Sequence, residues 1–282
     1  MLSILWLALI LTQPVSSSLA SVNKEYSSIF NATENYRNVD TLRVFTYNIH
    51  HGRGLDGNVD LRRIAEVISA KNPHLVTLQE VDIGVERSER FDIMKVLSGY
   101  LGMDSVFYKN IPHQAGKYGN GILTKLPLMS SKNMHLIQPE NGEQRGLLKT
   151  EIDFKGVTIT LMTTHLDHLS EANRMAGVEQ IIETKRAYRG SPIIVTGDFN
   201  ALPDSPIHNR MKEYFVDVWE EKGDGPGYTI PPINPNRRID YFFYTNNLIE
   251  GGNPHIRAIK MEGIESEASD HLPIYAEFEV IY

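Results

Sequence analysis

The residues with the clearest chemical potential lie in the segment Gly197-Asp198-Phe199-Asn200, which directly follows an apolar run. Other polar side chains also stand at the end or the start of strand-like runs, namely Asn48, Glu80, His165, Asp240 and Asp270-His271. Carboxylate and amide oxygens without any thiol suit a hard cation such as Mg²⁺, Mn²⁺ or Ca²⁺. With histidines beside it, such a cation can neutralise a phosphate ester, activate water and stabilise the leaving oxygen. These residue types therefore indicate metal-assisted phosphoester hydrolysis.

Each of these residues also has an ordinary structural interpretation when it is taken alone. Asp198-Phe199-Asn200 could form a turn in which the Asp side chain bonds to the backbone. Asp240 follows Arg237-Arg238 and could form an exposed ion pair that contributes little stability. A single short motif is weak support for function. The functional interpretation therefore depends on the whole ordered set.

Strand-like and helix-like runs alternate along the chain and would have to position these side chains. The predicted strands cover residues 42–47, 75–78, 106–109, 121–124, 147–153, 157–162, 192–196, 239–244 and 274–280. The predicted helices cover 60–70, 91–101 and 170–186, with N-caps at Asp60 and Ser170 and a closing Gly102. Residues 223–235, which contain four prolines, are predicted to form a surface loop.

The mixture of hairpins and crossovers predicts an α/β or α+β layered domain rather than a strictly alternating parallel fold. The chain has 282 residues, of which 41% are hydrophobic, so it can build a sizeable core. We expect one domain over residues 41–282. Its polar groups would meet at one rim of the sheets, where loops carry function on a rigid scaffold.

The ordered motifs resemble those of the endonuclease/exonuclease/phosphatase superfamily over residues 41–282. The motifs that carry the resemblance are Thr46-Tyr47-Asn48-Ile49, Leu78-Gln79-Glu80, Thr164-His165-Leu166, Gly197-Asp198-Phe199-Asn200, Arg238-Ile239-Asp240-Tyr241 and Ser269-Asp270-His271-Leu272-Pro273. The resemblance implies a four-layer sandwich, in which helices flank two packed mixed β-sheets. It also implies that Mg²⁺ or Mn²⁺ supports the hydrolysis of a phosphate ester.

The same resemblance implies a role for each matching residue. Glu80 and Asn48 would bind the metal, with Asp270 as a further ligand. Asp198 would orient or deprotonate the attacking water, and Asn200 would hold that water or a phosphate oxygen.

On the phosphate side, the resemblance implies that His271 contacts the scissile phosphate and that Asp240 orients His271. His165 would lie near the leaving group. Arg145 and Asn120 would contact the substrate.

The residues around the first motif depart from one branch of the superfamily. Apurinic endonucleases have an Asp at the position of His50, which His51 follows here. This difference weakens a DNA-repair assignment and favours a metal that accepts imidazole, such as Mn²⁺ or Zn²⁺. The Tyr-Asn-Ile-His opening and the glycine-rich loop over residues 52–57 more closely resemble secreted bacterial metal-dependent hydrolases. They also resemble the C-terminal domain of the lipid remodeller of glycosylphosphatidylinositol anchors.

The N-terminal residues predict a location outside the cytoplasm. Residues 1–20 have an apolar stretch and small residues before a cut after Ala20, the layout of a signal peptide. An uncleaved segment that holds the protein at a membrane is the alternative. Residues 21–40 are polar and are predicted to form a linker. The expected location is secreted, periplasmic or extracellular.

The net charge of -7 disfavours a non-specific grip on long nucleic acid, which needs a basic surface. The leading hypothesis is therefore a hydrolase of a small or lipid-borne phosphoester. Lipids related to GPI anchors belong to this substrate class. The hydrolase is expected to be a monomer. A secreted nuclease acting on DNA or RNA and a non-catalytic binding module of the same fold are the alternatives.

Overall fold

Strand β1 (Val39–Asn48) shows how the sequence pattern produces layers. Leu42 and Val44 belong to one buried apolar cluster, whereas Phe45 and Tyr47 belong to another. Because successive side chains of a strand point to opposite faces, β1 is buried on both sides. A strand of this kind lies in the middle of a layered domain.

The computed structural model describes residues 38–187, 190–246 and 254–282, and Val39–Tyr282 form one compact unit. The predicted signal peptide and most of the predicted linker lie outside the described residues. Because β1 begins at Val39, the last two residues of the predicted linker belong to the sheet. No helix in the described part of the chain has the length and apolar character needed to cross a membrane.

Two mixed sheets of six strands each form the two inner layers. Sheet I contains, in spatial order, β11 (His255–Gly263), β12 (Ile274–Ile281), β1, β2 (Leu75–Ile83), β4 (Gly116–Thr124) and β3 (Asp104–His113). Sheet II contains β5 (Leu128–His135), β6 (Gly146–Phe154), β7 (Val157–His165), β8 (Ile193–Asp198), β10 (Asp240–Tyr244) and β9 (Val216–Asp217). The pairs β1–β2 and β7–β8 are parallel, and the remaining neighbours are antiparallel.

Helices cover the outer faces of both sheets. They are α1 (Leu61–Ser69), α2 (Ile93–Leu101), α3 (Glu171–Ala187) and α4 (Pro206–Lys212). The short α5 (Val218–Lys222) instead contributes Val218 to the apolar core between the sheets. Ile64 of α1 and Leu97 of α2 pack with Phe45 on sheet I. Ile181 of α3 packs with Val195 on sheet II. The predicted four-layer α/β sandwich is confirmed.

The helix boundaries follow from local capping. The Asp60 carboxylate accepts hydrogen bonds from the backbone of Arg62 and Arg63, and the Ser170 hydroxyl accepts one from Asn173 N at 3.0 Å. Helix α2 begins at Ile93 rather than at the predicted residue 91, because the Asp92 side chain caps it. It ends before Gly102, which has a left-handed conformation. These side chains satisfy backbone N–H groups that a helix leaves free at its start.

Strands β5, β9 and β11 and helices α4 and α5 were not predicted from the sequence. Strand β5 is an edge strand with mostly exposed residues, so it has no apolar alternation to detect. Strand β11 is the edge of the other sheet. Helix α4 carries a recognisable start, because Ser205 caps it and Pro206 occupies its first turn.

Candidate active site

Side chains from the ends of several strands meet between the two sheets. Asn48 ends β1, His165 ends β7 and Asp198 ends β8, while Asp240 opens the antiparallel β10 opposite Asp198. The parallel register that pairs His165 with Asp198 brings these two strand ends level with each other. Because the ends of parallel strands lie at one edge of a sheet, loops that follow them share one rim.

Direct hydrogen bonds align the two sheets beneath this rim. Thr77 of sheet I and Thr196 of sheet II contact each other through their hydroxyl oxygens at 2.7 Å. Gln79 Nε2 donates to Thr163 Oγ1 across the same gap at 2.9 Å. The half of the site on each sheet is therefore held against the other half by polar contacts, not by apolar packing alone.

Asp198 lies at the centre of the cluster and is almost completely buried. Its Oδ2 accepts a hydrogen bond from Asn48 Nδ2 at 3.1 Å and lies 3.5 Å from His165 Nε2 and 3.7 Å from His271 Nε2. Its Oδ1 accepts the backbone N–H of Asn200 at 2.9 Å. The turn considered as an alternative thus exists, and it holds Asp198 with one oxygen directed at the site.

The burial of Asp198 has a direct electrostatic consequence. Desolvation raises the pKa of its carboxyl to about 7, with Asp240 adding to the rise and His271 opposing it. Burial alone would lower the pKa of His271, but Asp240 outweighs it and raises that pKa to about 10. Burial holds the pKa of His165 well below its usual value, and the nearby Arg145 adds to this effect. Asp198 therefore lies between two imidazoles whose pKa values shift in opposite directions.

Asp240 fixes the orientation of His271. Asp240 Oδ2 lies 2.8 Å from His271 Nδ1, so Nε2 is the ring nitrogen left to face Asp198. Both residues are buried. The exposed Arg–Asp240 pair considered from sequence does not form, because Arg238 Nη1 binds Asp217 Oδ2 at 2.8 Å instead.

Glu80 reaches the same cluster through an irregularity in β2. The pairing of β2 with β4 shifts between Leu78 and Val81, and Glu80 has a left-handed φ of 58°. A bulge of this kind re-aims a side chain, and a left-handed non-glycine residue costs about 1–3 kcal/mol. Asn48 Nδ2 donates to Glu80 Oε1 at 3.1 Å, so one amide joins Glu80 to Asp198.

Two histidines that received no role from the sequence analysis lie beside Glu80. His50, His51 and Glu80 each offer a ligand atom, and these atoms all lie within 4.8 Å of one another. Burial, reinforced by Arg87, lowers the pKa of the His51 ring to about 3. The signal that could have found this group is the His50-His51 pair directly after the Asn48 motif.

The remaining predicted residues lie at the margin of the cluster. Asp270 contacts His50, with 3.8 Å between its Oδ1 and His50 Nδ1, and its side chain is partly exposed. The Asn200 side chain donates to Leu166 O at 3.1 Å, and the Asn120 side chain donates to Gly146 O at 3.2 Å. These amides hold loops and sheets together, and their contact with a substrate remains a prediction.

Arg145 is buried close to His165 and His168. Its guanidinium pairs with Glu143 at 2.9 Å and approaches His168 Nδ1 at 3.4 Å and the Tyr118 hydroxyl at 3.5 Å. Its Nε has no hydrogen-bond partner. A buried guanidinium is a suitable group for phosphate recognition, which agrees with the predicted substrate-binding role of Arg145. That role stays a prediction.

Two six-stranded sheets with carboxylate, amide and imidazole groups at one rim place the chain in the class of four-layer α/β sandwich proteins. The sequence model of the Endonuclease/Exonuclease/phosphatase family matches residues 45–271, and the chain belongs to this family. Members of the family are hydrolases that act on phosphoesters. No curated protein matches the sequence.

Solved structures of several family members share the fold. A mannosyl-6-phosphatase from Bacteroides thetaiotaomicron is 17% identical, with a TM-score of 0.69 and coverage of 86% of this chain and 100% of that chain. The human Nocturnin catalytic domain is 19% identical, with a TM-score of 0.66 and coverage of 86% and 97%. A humanized D. rerio TDP2 is 20% identical, with a TM-score of 0.63 and coverage of 84% and 98%. At these identities the likeness shows the fold alone.

Proposed function

We propose that the protein is a divalent-metal-dependent phosphoesterase that acts on a small or lipid-borne phosphoester outside the cytoplasm. The observation that carries this proposal is the convergence of Asp198, Asp240 and His271 with Asn48 and Glu80 at one buried rim. The apolar segment at residues 2–11 and the small residues before Ala20 support the location.

The donor atoms at this rim fit a divalent cation such as Mg²⁺ or Mn²⁺. Glu80 supplies a carboxylate and Asn48 an amide oxygen, and the Asn48 amide nitrogen donates a hydrogen bond to Glu80 Oε1 at 3.1 Å, which holds the two side chains together. Glu80, Asn48 and the predicted further ligand Asp270 would hold the ion. When bound, the cation supplies charge neutralisation for the non-bridging phosphate oxygens.

The protein's own side chains supply the proton chemistry. Asp198 Oδ2 is the carboxylate oxygen that faces the site, and it would orient and deprotonate the attacking water. His271 Nε2, with Asp240 behind its other nitrogen, would donate a hydrogen bond to a phosphate oxygen. His165 would lie near the leaving group, with its Nε2 3.5 Å from Asp198 Oδ2.

The rim also carries exposed leucines, which favour a lipid-borne substrate. Leu169 is 76% exposed, Leu202 is 49% exposed and Leu55 is 40% exposed. Each lies in a loop that follows a site residue, namely His165, Asn200 and His50. Single exposed leucines are ordinary, but three on loops that follow site residues offer apolar contacts to a lipid-borne substrate.

We expect activity to require a divalent cation. Incubation of the purified protein with a chelator should stop the hydrolysis of phosphoesters, and added Mg²⁺ or Mn²⁺ should restore it, because the ion would neutralise the phosphate oxygens during the reaction. The measurement is phosphate release from nucleotides, inositol phosphates, phospholipids and sphingomyelin. Activity that is indifferent to the chelator would refute metal dependence.

The same panel separates the alternative functions. Plasmid and single-stranded DNA would be included at matched phosphate concentration. Degradation of DNA at rates comparable to the best small or lipid ester would favour the secreted nuclease. A properly folded protein that hydrolyses no ester with any of the cations would favour the binding module.

We expect the rim leucines to matter for membrane-borne substrate only. The triple variant Leu55→Ser, Leu169→Ser and Leu202→Ser should lower hydrolysis of a phosphoester in vesicles by about 10-fold or more, because each buried leucine contributes about 1.5–3 kcal/mol. Hydrolysis of a soluble ester should be unchanged. The matched control is Leu128→Ser, a leucine 39% exposed at the far end of sheet II. Equal activity of the triple variant on vesicles would exclude a lipid-contact role for the rim.

A further inference from the structure

The turn after β1 places two adjacent imidazoles against the bulge of β2. His50 and His51 lie in the short 3₁₀ turn His50–Gly52, and their ring centroids are 4.4 Å apart with the planes inclined by 68°. Together with Glu80 they provide three ligand atoms within 4.8 Å of one another. Donors that share one ion at about 2.1 Å lie at most about 4.2 Å apart, so the three atoms need to draw together only slightly to surround an ion.

His51 is the member of this group that most needs a partner. Its side chain is buried, with 5% of the residue exposed, and its Nδ1 has no hydrogen-bond partner. That nitrogen lies 4.0 Å from Glu80 Oε2, beyond hydrogen-bond distance but suited to an ion between them. Buried polar atoms in folded proteins are almost always satisfied, so an unpartnered nitrogen aimed at a carboxylate calls for a ligand.

The backbone holds all three side chains in an uncommon conformation. The φ angles of His50, His51 and Glu80 are 43°, 46° and 58°, in the left-handed region that non-glycine residues rarely adopt. Asn48 Oδ1 accepts the N–H of His50 at 3.1 Å and helps to fix the turn. Strained residues persist where surrounding structure over-determines them, and they cluster at functional sites. Here three of them direct their side chains to one point.

Two carboxylates, Glu80 and Asp270, lie beside the histidine pair. Glu80 Oε1 accepts a hydrogen bond from Asn48, which leaves Oε2 to face His51. Asp270 Oδ1 lies 3.8 Å from His50 Nδ1. At this distance Asp270 makes no hydrogen bond with the His50 ring and is a neighbouring carboxylate at the edge of the group.

We propose that His50, His51 and Glu80 form a two-imidazole, one-carboxylate centre that binds a transition-metal ion such as Zn²⁺ in preference to Mg²⁺. Imidazole nitrogen suits Zn²⁺ and related ions, whereas Mg²⁺ prefers oxygen ligands and retains its water. Two histidines and one glutamate are also a ligand set found at catalytic zinc, with open positions for water or substrate. The assignment deepens the proposed function, since it names the ion that the same rim selects.

The test is a direct measurement of metal binding by the full chain after its metal has been removed by dialysis against chelator. Titration with Zn²⁺ and with Mg²⁺ gives both dissociation constants by calorimetry or by competition with a chromogenic chelator. We expect Zn²⁺ to bind at least about 100-fold more tightly than Mg²⁺. His51→Gln should weaken Zn²⁺ binding by about 10–100-fold or more and leave Mg²⁺ binding unchanged. Co²⁺ should give a visible absorption band that His51→Gln alters.

Matched variants guard against an effect on folding. His135→Gln changes an exposed histidine of β5 in the same way and should bind Zn²⁺ like the unchanged protein. Should His51→Gln fail to fold, His50→Gln, which changes a partly exposed ring, answers the same question. The proposed centre would be refuted if the unchanged protein bound Zn²⁺ and Mg²⁺ with equal affinity. It would also be refuted if His50→Gln and His51→Gln both kept the full affinity for Zn²⁺.

The outcomes also separate this centre from the proposed function. Phosphoester hydrolysis with Mg²⁺ in a protein that lacks selective Zn²⁺ binding would overturn the histidine centre and leave the phosphoesterase intact. Selective Zn²⁺ binding lost in His51→Gln, in a protein that hydrolyses no phosphoester, would support the centre and overturn the phosphoesterase.

Discussion

The Asp198→Asn variant is expected to lose turnover on the order of 10³–10⁴-fold while it keeps its fold. Asparagine has nearly the shape of aspartate and can still accept the backbone N–H of Asn200 through its amide oxygen. It cannot take a proton from water, and its amide nitrogen would face the donating amide of Asn48, where Asp198 Oδ2 now accepts. The measurement is the hydrolysis rate on the best ester of the panel, with the thermal midpoint recorded in parallel.

The control for this variant is Asp104→Asn, which makes the same chemical change at an exposed residue at the start of β3. Its rate and thermal midpoint should match those of the unchanged protein. Full activity of Asp198→Asn would remove Asp198 from the mechanism. A collapse of its thermal midpoint would instead show that the carboxylate is needed for folding.

The Gly197→Ala variant is expected to lose about 3 kcal/mol or more of the free energy of unfolding. Gly197 has a φ of +133°, and a Cβ at this residue would lie 1.9 Å from Thr164 O. That oxygen belongs to β7, the parallel neighbour of β8, so neither backbone can move without breaking the sheet. Urea unfolding followed by circular dichroism measures the loss.

Gly99→Ala serves as the comparison for Gly197→Ala. Gly99 lies within helix α2, and a Cβ there meets nothing within 4 Å. Because alanine is the better helix former, this variant should be as stable as the unchanged protein or more stable by up to about 1 kcal/mol. Unfolding of Gly197→Ala at the same urea concentration as the unchanged protein would show that the β7–β8 spacing adjusts freely.

The strands that carry the site could be predicted because they are apolar and end in polar residues. Residues 192–196 and 157–162 are mostly buried runs, and Asp198 and His165 end the strands that contain them. The order of the motifs then gave the family, and with it the four layers. The edge strands were harder to predict because a mostly exposed strand such as β5 has no periodic signal.

The direction of a side chain depends on backbone details that no periodic pattern encodes. The bulge that turns Glu80 toward His51 is a shift of register between two distant segments, β2 and β4. The choice of Asp217 rather than Asp240 as the partner of Arg238 likewise depends on tertiary packing. Most residues of the cluster could therefore be predicted from the sequence, but the proximity of His51 to Glu80 could not.

The hydroxyl and amide contacts between Thr77 and Thr196 and between Gln79 and Thr163 have a mechanical consequence. Apolar faces can slide over each other at little cost, whereas a hydrogen bond weakens steeply when its geometry changes. These hydrogen bonds therefore fix the position of one sheet relative to the other. Because Asn48 and Asp198 lie on opposite layers, their separation is set by this alignment. The geometry of the rim therefore depends on residues that lie well below the surface.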